Sequence, residues 1–282
     1  MREPRAVSNV WMIDSLSGLS SRAIDTLPTG RNYSSIVGVA PGTSSDASEN
    51  NLGQNTITVY GSSGAENAYF IDGVNTTGME YGFQGKELNF EFIQEIDVKT
   101  GGYEAEYGRA TGGIINVITK SGGNEFHGDV FAYYDNYCKE TGCVSLQASA
   151  EPVFSAAGTV QGYTKKDFGL DFGGYIVRDK LWFYGAYDKV ENTTQSALPA
   201  GPSAGQVVSS PSTRDLASAK LTWNPAANQS LVLTFFQDPR TDTGAISDAN
   251  HSLNGDPLTY EGQKEFGGQD YALRYDGIFG AS

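Results

Sequence analysis

The sequence is poor in the residues from which chemical sites are built, and its apolar residues are spread thin. Among 282 residues there are two cysteines and two histidines. A zinc site at Cys138 and Cys143 would need more ligands than His127 and His251 obviously bring. Within YCKETGCVS, a small disulfide loop formed in an oxidising compartment is preferred over two free thiols. No apolar run approaches the ~18 residues of a spanning helix, which excludes a helical membrane protein. It does not exclude a membrane β-barrel, whose alternating strands each carry a much weaker hydropathy signal. Positive charge is also scarce: 19 Lys and Arg stand against 33 Asp and Glu, for a net charge of −14. Nucleic acid, which calls for a basic stripe, is therefore excluded as a partner. Ser, His and Asp lie outside any nucleophile elbow, and the glycines fit neither GxxxxGK[ST] nor GxGxxG before a helix, so an enzyme is not expected, nor a cofactor. The opening MREPRAVSNVWM has two arginines and no apolar stretch behind them, so it does not read as a secretory signal. That leaves a cytoplasmic protein or an incomplete chain.

What is present falls into two stretches of different grammar. From Ser8 to Gly123 the segments are short and mixed. Tyr33, Ile36, Val37 and Ala40 repeat at helical spacing until Pro41 and Gly42 end the helix. Thr56–Tyr60 and Ala68–Ile71 read as strands, the second leading into Asp72 and Gly73, a dipeptide favoured in tight type I′ hairpins. Glu95–Lys99 alternates with Ile96 and Val98 inward, and Gly113–Thr119 is almost continuously apolar around Asn116. The expectation is a small α+β domain over residues 1–123.

From Asn124 to Ser282 the strands become long and two-faced. Phe168, Leu170, Phe172, Gly174 and Ile176 oppose Asp167, Gly169, Asp171, Gly173 and Tyr175. Residues 126–135, 216–223 and 270–279 divide in the same way, with charge confined to one side. Leu181–Tyr187 and Leu231–Phe236 complete about six strands but are apolar on both faces. Short turns at Arg178–Lys180 and Asn224–Gln229 alternate with long connections at Cys138–Tyr163, Glu191–Pro211 and Asp238–Lys264. Short turns at one end and long loops at the other favour an outer-membrane barrel over a soluble sandwich. Asp238, Asp242, Asp248 and Asp256 make a calcium site conceivable, but their spacing matches no EF-hand and a solvated acidic loop is preferred.

Three segments, LPTGRNYSSIVGVAPG (Leu27–Gly42), AYFIDGVN (Ala68–Asn75) and FIQEIDVKTGGYEAEYGRATGGIINVITKSGGNEFHG (Phe92–Gly128), closely resemble the plug domain of TonB-dependent outer-membrane receptors, nearest to the Oar-like subgroup. They carry Arg31, Asp72, Gly73, Arg109, Gly112, Gly113 and Asn116 as plug-motif positions. The resemblance implies an α+β plug followed by antiparallel transmembrane β-barrel strands, here a partial barrel. It also implies a place in the outer membrane of a Gram-negative-type bacterium. The implied job is import of a scarce ligand of peptide, glycan or siderophore class, driven by a TonB-type inner-membrane energy coupler, with outer-membrane lipid around the wall. The alternative is a non-transporting surface or adhesion β protein; a soluble sugar-binding sandwich is a minor third.

By the same resemblance, Arg109 corresponds to a plug arginine that faces acidic wall residues. Two loops, Gly61–Asn67 and Thr76–Glu87, should face the external medium, making Glu66, Tyr81, Phe83 and Gln84 candidate ligand contacts. Asp72 and Gly73 are expected to form the hairpin rather than bind ligand. Paired glycines at 101–102 and 112–113 should allow close backbone packing or positive φ, and Gly122, Gly123 and Gly128 should mark the exit from plug to wall. The sequence is expected to be a fragment, lacking the signal peptide and the TonB-contacting box and ending after six strands. Unpaired edges in lipid would then drive it to aggregate or assemble.

Overall fold

A computed structural model describes residues 17–20, 36–38, 40–45, 57–79, 82–101, 108, 110–138, 154–155, 158–197, 204–245 and 261–278. The chain divides into two compact units that interleave in sequence. One comprises Met1–Gln84 and Ile93–Thr119, the other Gly85–Phe92 and Lys120–Ser282. Among the described residues no helix is long and apolar enough to cross a membrane.

The first unit contains β1 (Ser17–Ser20), β2 (Thr43–Ser45), β3 (Ile57–Val59), β4 (Ala68–Ile71), β5 (Val74–Asn75), β6 (Ile93–Lys99) and β7 (Ile114–Thr119). Five of them form one sheet in the order β1-β6-β7-β4-β5, while β2 and β3 pair separately. β7 lies in the middle, antiparallel to β6 and parallel to β4. Its sequence IINVIT explains the position: β-branched residues favour extended backbone, and a strand covered on both faces is apolar nearly throughout. Ile114, Ile115 and Val117 are wholly buried, as are Ile71, Ile96 and Val98 from the neighbouring strands and Ile36 and Val37 from a helical turn. Each such side chain contributes about 1.5–3 kcal/mol. The expected helix starts at Tyr33, which lies outside the described residues. The β4–β5 turn has φ of 49° at Asp72 and 82° at Gly73, the two positive values that a type I′ hairpin requires.

The second unit is a wall of long antiparallel strands. In chain order these are β8 (His127–Cys138), β9 (Phe154–Ser155), β10 (Gly158–Val177), β11 (Leu181–Ala197), β12 (Val207–Ala226), β13 (Gln229–Gln237), β14 (Arg240–Ala245), β15 (Glu261–Phe266) and β16 (Gln269–Gly277). Neighbours in sequence pair along the wall, with β13 and β14 acting as two halves of one strand beside β12, and β15 and β16 as two halves of the next.

Register aligns like with like across the wall. Gly174, Phe183, Leu221, Leu233 and Leu273 stand opposite one another in turn, as do Gly128, Phe172, Gly185, Ala219, Phe235 and Tyr271. On the other face Asp129, Asp171, Ala186, Ser218, Phe236 and Asp270 form a row. Burial runs opposite to that of a water-soluble sheet. Asp167 and Asp171 are 3% and 4% exposed, while Phe168 and Phe172 between and beyond them are 50% and 49% exposed. Among the described residues Phe168, Leu170 and Phe172 therefore meet no second sheet, which removes the sandwich.

Two sequence expectations need correction. The strands outrun their apolar patterns: β11 continues to Ala197 and β12 begins at Val207, so the connection there is far shorter than Glu191–Pro211. Hydrogen-bonded pairing persists where both faces turn polar, and alternation cannot reveal it. The stretch after Asp238, expected to be an acidic loop, returns to strand at Arg240–Ala245, and Asp238 itself is buried.

Candidate functional site

The polar face of the wall holds one short segment of the chain, Gly85–Phe92. This segment, GKELNFEF, alternates polar and apolar residues, buries Leu88 and Phe92, makes a single 3-10 turn at Phe90–Phe92, and is tied down by side-chain pairing. Lys86 Nζ lies 3.0 Å from Asp238 Oδ1 and 2.9 Å from Asp270 Oδ2. The Glu87 N–H donates to Asp238 Oδ2 at 3.0 Å, and its carboxylate faces Arg214 of β12 at 3.3 Å. Asn89 donates to Asp188 of β11, and Tyr133 of β8 donates to Glu91 at 3.1 Å. The chain leaves through Lys120, whose N–H donates to the Phe92 carbonyl at 2.8 Å and whose ammonium lies 3.6 Å from the buried Asp171.

Asp238 is the centre of this arrangement. It sits where β13 gives way to β14, beside Gly267 and Gly268 where β15 gives way to β16. The breaks are tied together: Asp238 N–H donates to the Gly268 carbonyl at 3.2 Å, and Gly268 N–H returns to Asp238 Oδ1 at 3.1 Å. Gly267 has φ of 79°, and a Cβ there would lie 2.1 Å from the Asp238 carbonyl, so only glycine fits the join. Pro239 cannot donate to a ladder, which suits it to the break. The bend presents Oδ1 of Asp238 to Lys86 as well as to Gly268, and Oδ2 to the Glu87 N–H.

Charge in this cluster is strained. Burial pushes the Glu87 carboxyl up to about 7, against the pull of Arg214 and with the help of nearby Asp238. For Lys86 burial opposes the charge, but Asp270 and Asp238 outweigh it and hold the ammonium above the usual lysine value.

The residues singled out by sequence lie elsewhere. Arg31, Tyr81, Arg109 and Cys143 fall outside the described residues, and Cys138 is described only as the backbone end of β8. Glu66 caps the 3-10 turn Gly64–Glu66: Ser63 N–H donates to it at 2.7 Å and Thr111 Oγ1 at 3.2 Å. These hydrogen bonds, that from Ser63 first, hold its pKa below the ordinary carboxylate value. Phe83 is 6% exposed, a packed core side chain and not one presented to ligand. Gln84 forms an isolated bridge with Thr77. Asp72 accepts from Thr119, and Asn116 sits half-buried in the middle of β7.

Gly112 and Gly113 have ordinary φ. A Cβ on them would meet the Ser62 and Asn67 side chains and the Val59 side chain respectively. Gly101 has open space around it, whereas a Cβ on Gly122 would strike the Phe183 and Gly174 carbonyls at 2.2 and 2.5 Å. Asp248 and Asp256 are outside the described residues. Among the described residues no group of three or more His, Cys, Asp or Glu converges as a metal site. Lys86, Asn89, Asp188, Arg214, Asp238 and Asp270 were not anticipated as a cluster; no motif or spacing in the sequence links them.

A wall with one exposed apolar face and one buried acidic face, together with a separate glycine-rich α+β unit, is the pattern of an outer-membrane β-barrel protein with a plug domain. Comparison with known families makes the class specific. Residues 12–114 match the TonB-dependent receptor plug domain, and residues 118–204 match an outer membrane beta barrel domain. Residues 12–114 are thus similar to a TonB-dependent receptor plug, and the strands that follow to an outer-membrane barrel domain. It is 37% identical over 161 residues to the TonB-dependent transporter Oar of Myxococcus xanthus, covering 56% of this chain and 14% of Oar. It is 23% identical over 298 residues to the probable TonB-dependent siderophore receptor PirA of Acinetobacter baumannii, covering 93% and 37% respectively. The crystal structure of the outer membrane transporter YddB from Escherichia coli superposes with a TM-score of 0.68 at 18% identity, over 92% of this chain and 36% of that one. The chain therefore spans well under half the length of these relatives.

Proposed function

We propose that this chain forms part of a receptor that imports a scarce extracellular ligand through a plugged barrel, energised by a TonB-type inner-membrane partner. The observation that carries the reading is the inverted wall. Buried Asp167, Asp171 and Asp188 against exposed Phe168, Leu170 and Phe172 suit a tube with hydrocarbon outside and a polar lumen within. A separate plug unit matching the receptor family supports transport over a plain surface protein. PirA is named as a siderophore receptor and Oar as a transporter; peptide, glycan and siderophore remain the ligand classes proposed here. The residues proposed to meet ligand are Glu66, Tyr81 and Gln84, and Arg109 is proposed to pair with acidic wall residues. The plug is proposed to pass into the wall near residue 123.

The test has two arms. Heat-modifiable migration in the outer-membrane fraction is expected for a closed barrel. Uptake that depends on this gene should disappear when TonB is deleted; uptake unchanged without TonB, or surface adhesion without uptake, would replace the transport reading with the adhesion one.

A further inference from the structure

We propose that Gly85–Phe92 is a proton-coupled latch on the wall: its Glu87 end grips when the carboxyl is protonated and slackens when it ionises, while its Lys86 end holds in both states.

The geometry sets up the two ends. At the Lys86 end one ammonium bridges two carboxylates, Asp238 at 3.0 Å and Asp270 at 2.9 Å, an arrangement that favours the charged ammonium. The Glu87 end is less well satisfied. Its carboxylate meets Arg214 of β12 at 3.3 Å through Oε2, while Oε1 is enclosed with no hydrogen-bond partner among the described residues. The other charges that act on it are Arg240 at the start of β14, which attracts but is committed to Asp242 at 2.7 Å, and Asp238, which repels. Its chain neighbour Lys86 is taken up by Asp238 and Asp270. An enclosed carboxylate with one counter-charge and an unsatisfied oxygen favours its neutral form.

The sign follows from linkage. Docked, Glu87 titrates near 7; released into water it returns to its ordinary 4.5. Between those values the docked segment binds a proton that the released segment does not. Raising the pH through that window therefore weakens docking, by up to about tenfold per pH unit, and outside the window the effect is flat. Lys86 keeps its charge throughout, because its pKa lies above the ordinary lysine value. Acid tightens the latch and neutral water loosens one end of it.

Hydrogen exchange followed by mass spectrometry, on outer membranes carrying the full-length protein, tests this without any need for ligand or import. Peptides covering Gly85–Phe92, measured at about pH 5.5 and about pH 7.5 and corrected for intrinsic exchange, should show an opening constant on the order of 30-fold larger at the higher pH. Glu87→Gln, a neutral mimic, should remove that dependence and keep the segment protected at both values. Lys86→Met should raise opening at both values and retain the slope. If Glu87→Gln fails to assemble, Arg214→Met serves instead: removing the counter-charge should steepen the dependence. Equal protection of the unmodified protein at both pH values overturns the proposal. So does a slope that survives Glu87→Gln, or Lys86→Met without effect.

Discussion

Asp72 and Thr119 close one end of the plug sheet. The Thr119 N–H donates to Asp72 Oδ1 at 3.0 Å, and the Thr119 hydroxyl donates to Oδ2 at 2.5 Å. The aspartate that turns β4 into β5 thus also ends β7, its parallel neighbour. Asp72→Ala should cost about 2–3 kcal/mol, since both hydrogen bonds go to a charged acceptor and Thr119 is wholly buried. Faster tryptic cleavage after Lys120 in intact outer membranes is the measurement; an unchanged rate would show that the contact is not holding the strand end.

Asn67 does the corresponding work at the other end of β4. Its Nδ2 donates to the Ile57 carbonyl at 2.6 Å, and its Oδ1 accepts from Gly113 N–H at 2.8 Å, joining β3, β4 and β7. Asn67→Leu would leave buried backbone groups without partners, at about 1–3 kcal/mol for each. Denaturant midpoints for the plug should fall accordingly, with the wall's heat-modifiable migration unchanged.

Gly122 and Gly123 are adjacent yet should respond oppositely to substitution. A Cβ on Gly122 meets the Phe183 and Gly174 carbonyls, both backbone and both part of the wall ladder, whereas Gly123 faces open space. Gly122→Val should sharply lower the yield of assembled protein, and Gly123→Ala should leave it near the unmodified level. Quantifying the heat-modifiable band for the two variants side by side checks this.

Leu273 on β16 is 68% exposed, in line with Leu233, Leu221 and Phe183. Leu273→Arg should destabilise the wall by about 2–4 kcal/mol if that row lies at mid-membrane depth. A matched Gln263→Arg change, on a strand with few apolar residues, should cost little. Similar losses for both variants in a urea titration in lipid vesicles would argue that no hydrocarbon bathes the Leu273 row.

Much of this architecture was legible in the sequence, because it rests on local signals. The two-residue period of β10 showed which side chains share a face, and Asp72-Gly73 announced its own turn. The docking of Gly85–Phe92 was not legible. Its partners lie about 100 to 180 residues away along the chain, at Asp188, Arg214, Asp238 and Asp270, and no periodicity links an amide or ammonium to a carboxylate across that distance. Asp238 misled for a related reason. Beside a proline and followed by polar residues, it has the composition of a solvated loop, and only the paired break with Gly267 and Gly268 makes it a buried acceptor. Glu66 and Phe83 were legible as plug-loop residues, but one proved to cap a turn and the other to fill the core.

The apolar face of β10 runs from Phe168 to Ile176, nine positions, which is about the length a tilted strand needs to cross a bilayer's oily interior. The strand nevertheless starts at Gly158, and its ladder with β11 extends to Ala197. Some ten residues, roughly another 33 Å, therefore stand clear of the lipid as a stiff hydrogen-bonded palisade. Whatever first touches the tips of these hairpins does so well out in the surrounding medium, and the rigid ribbon beneath those tips fixes how far from the bilayer that encounter takes place.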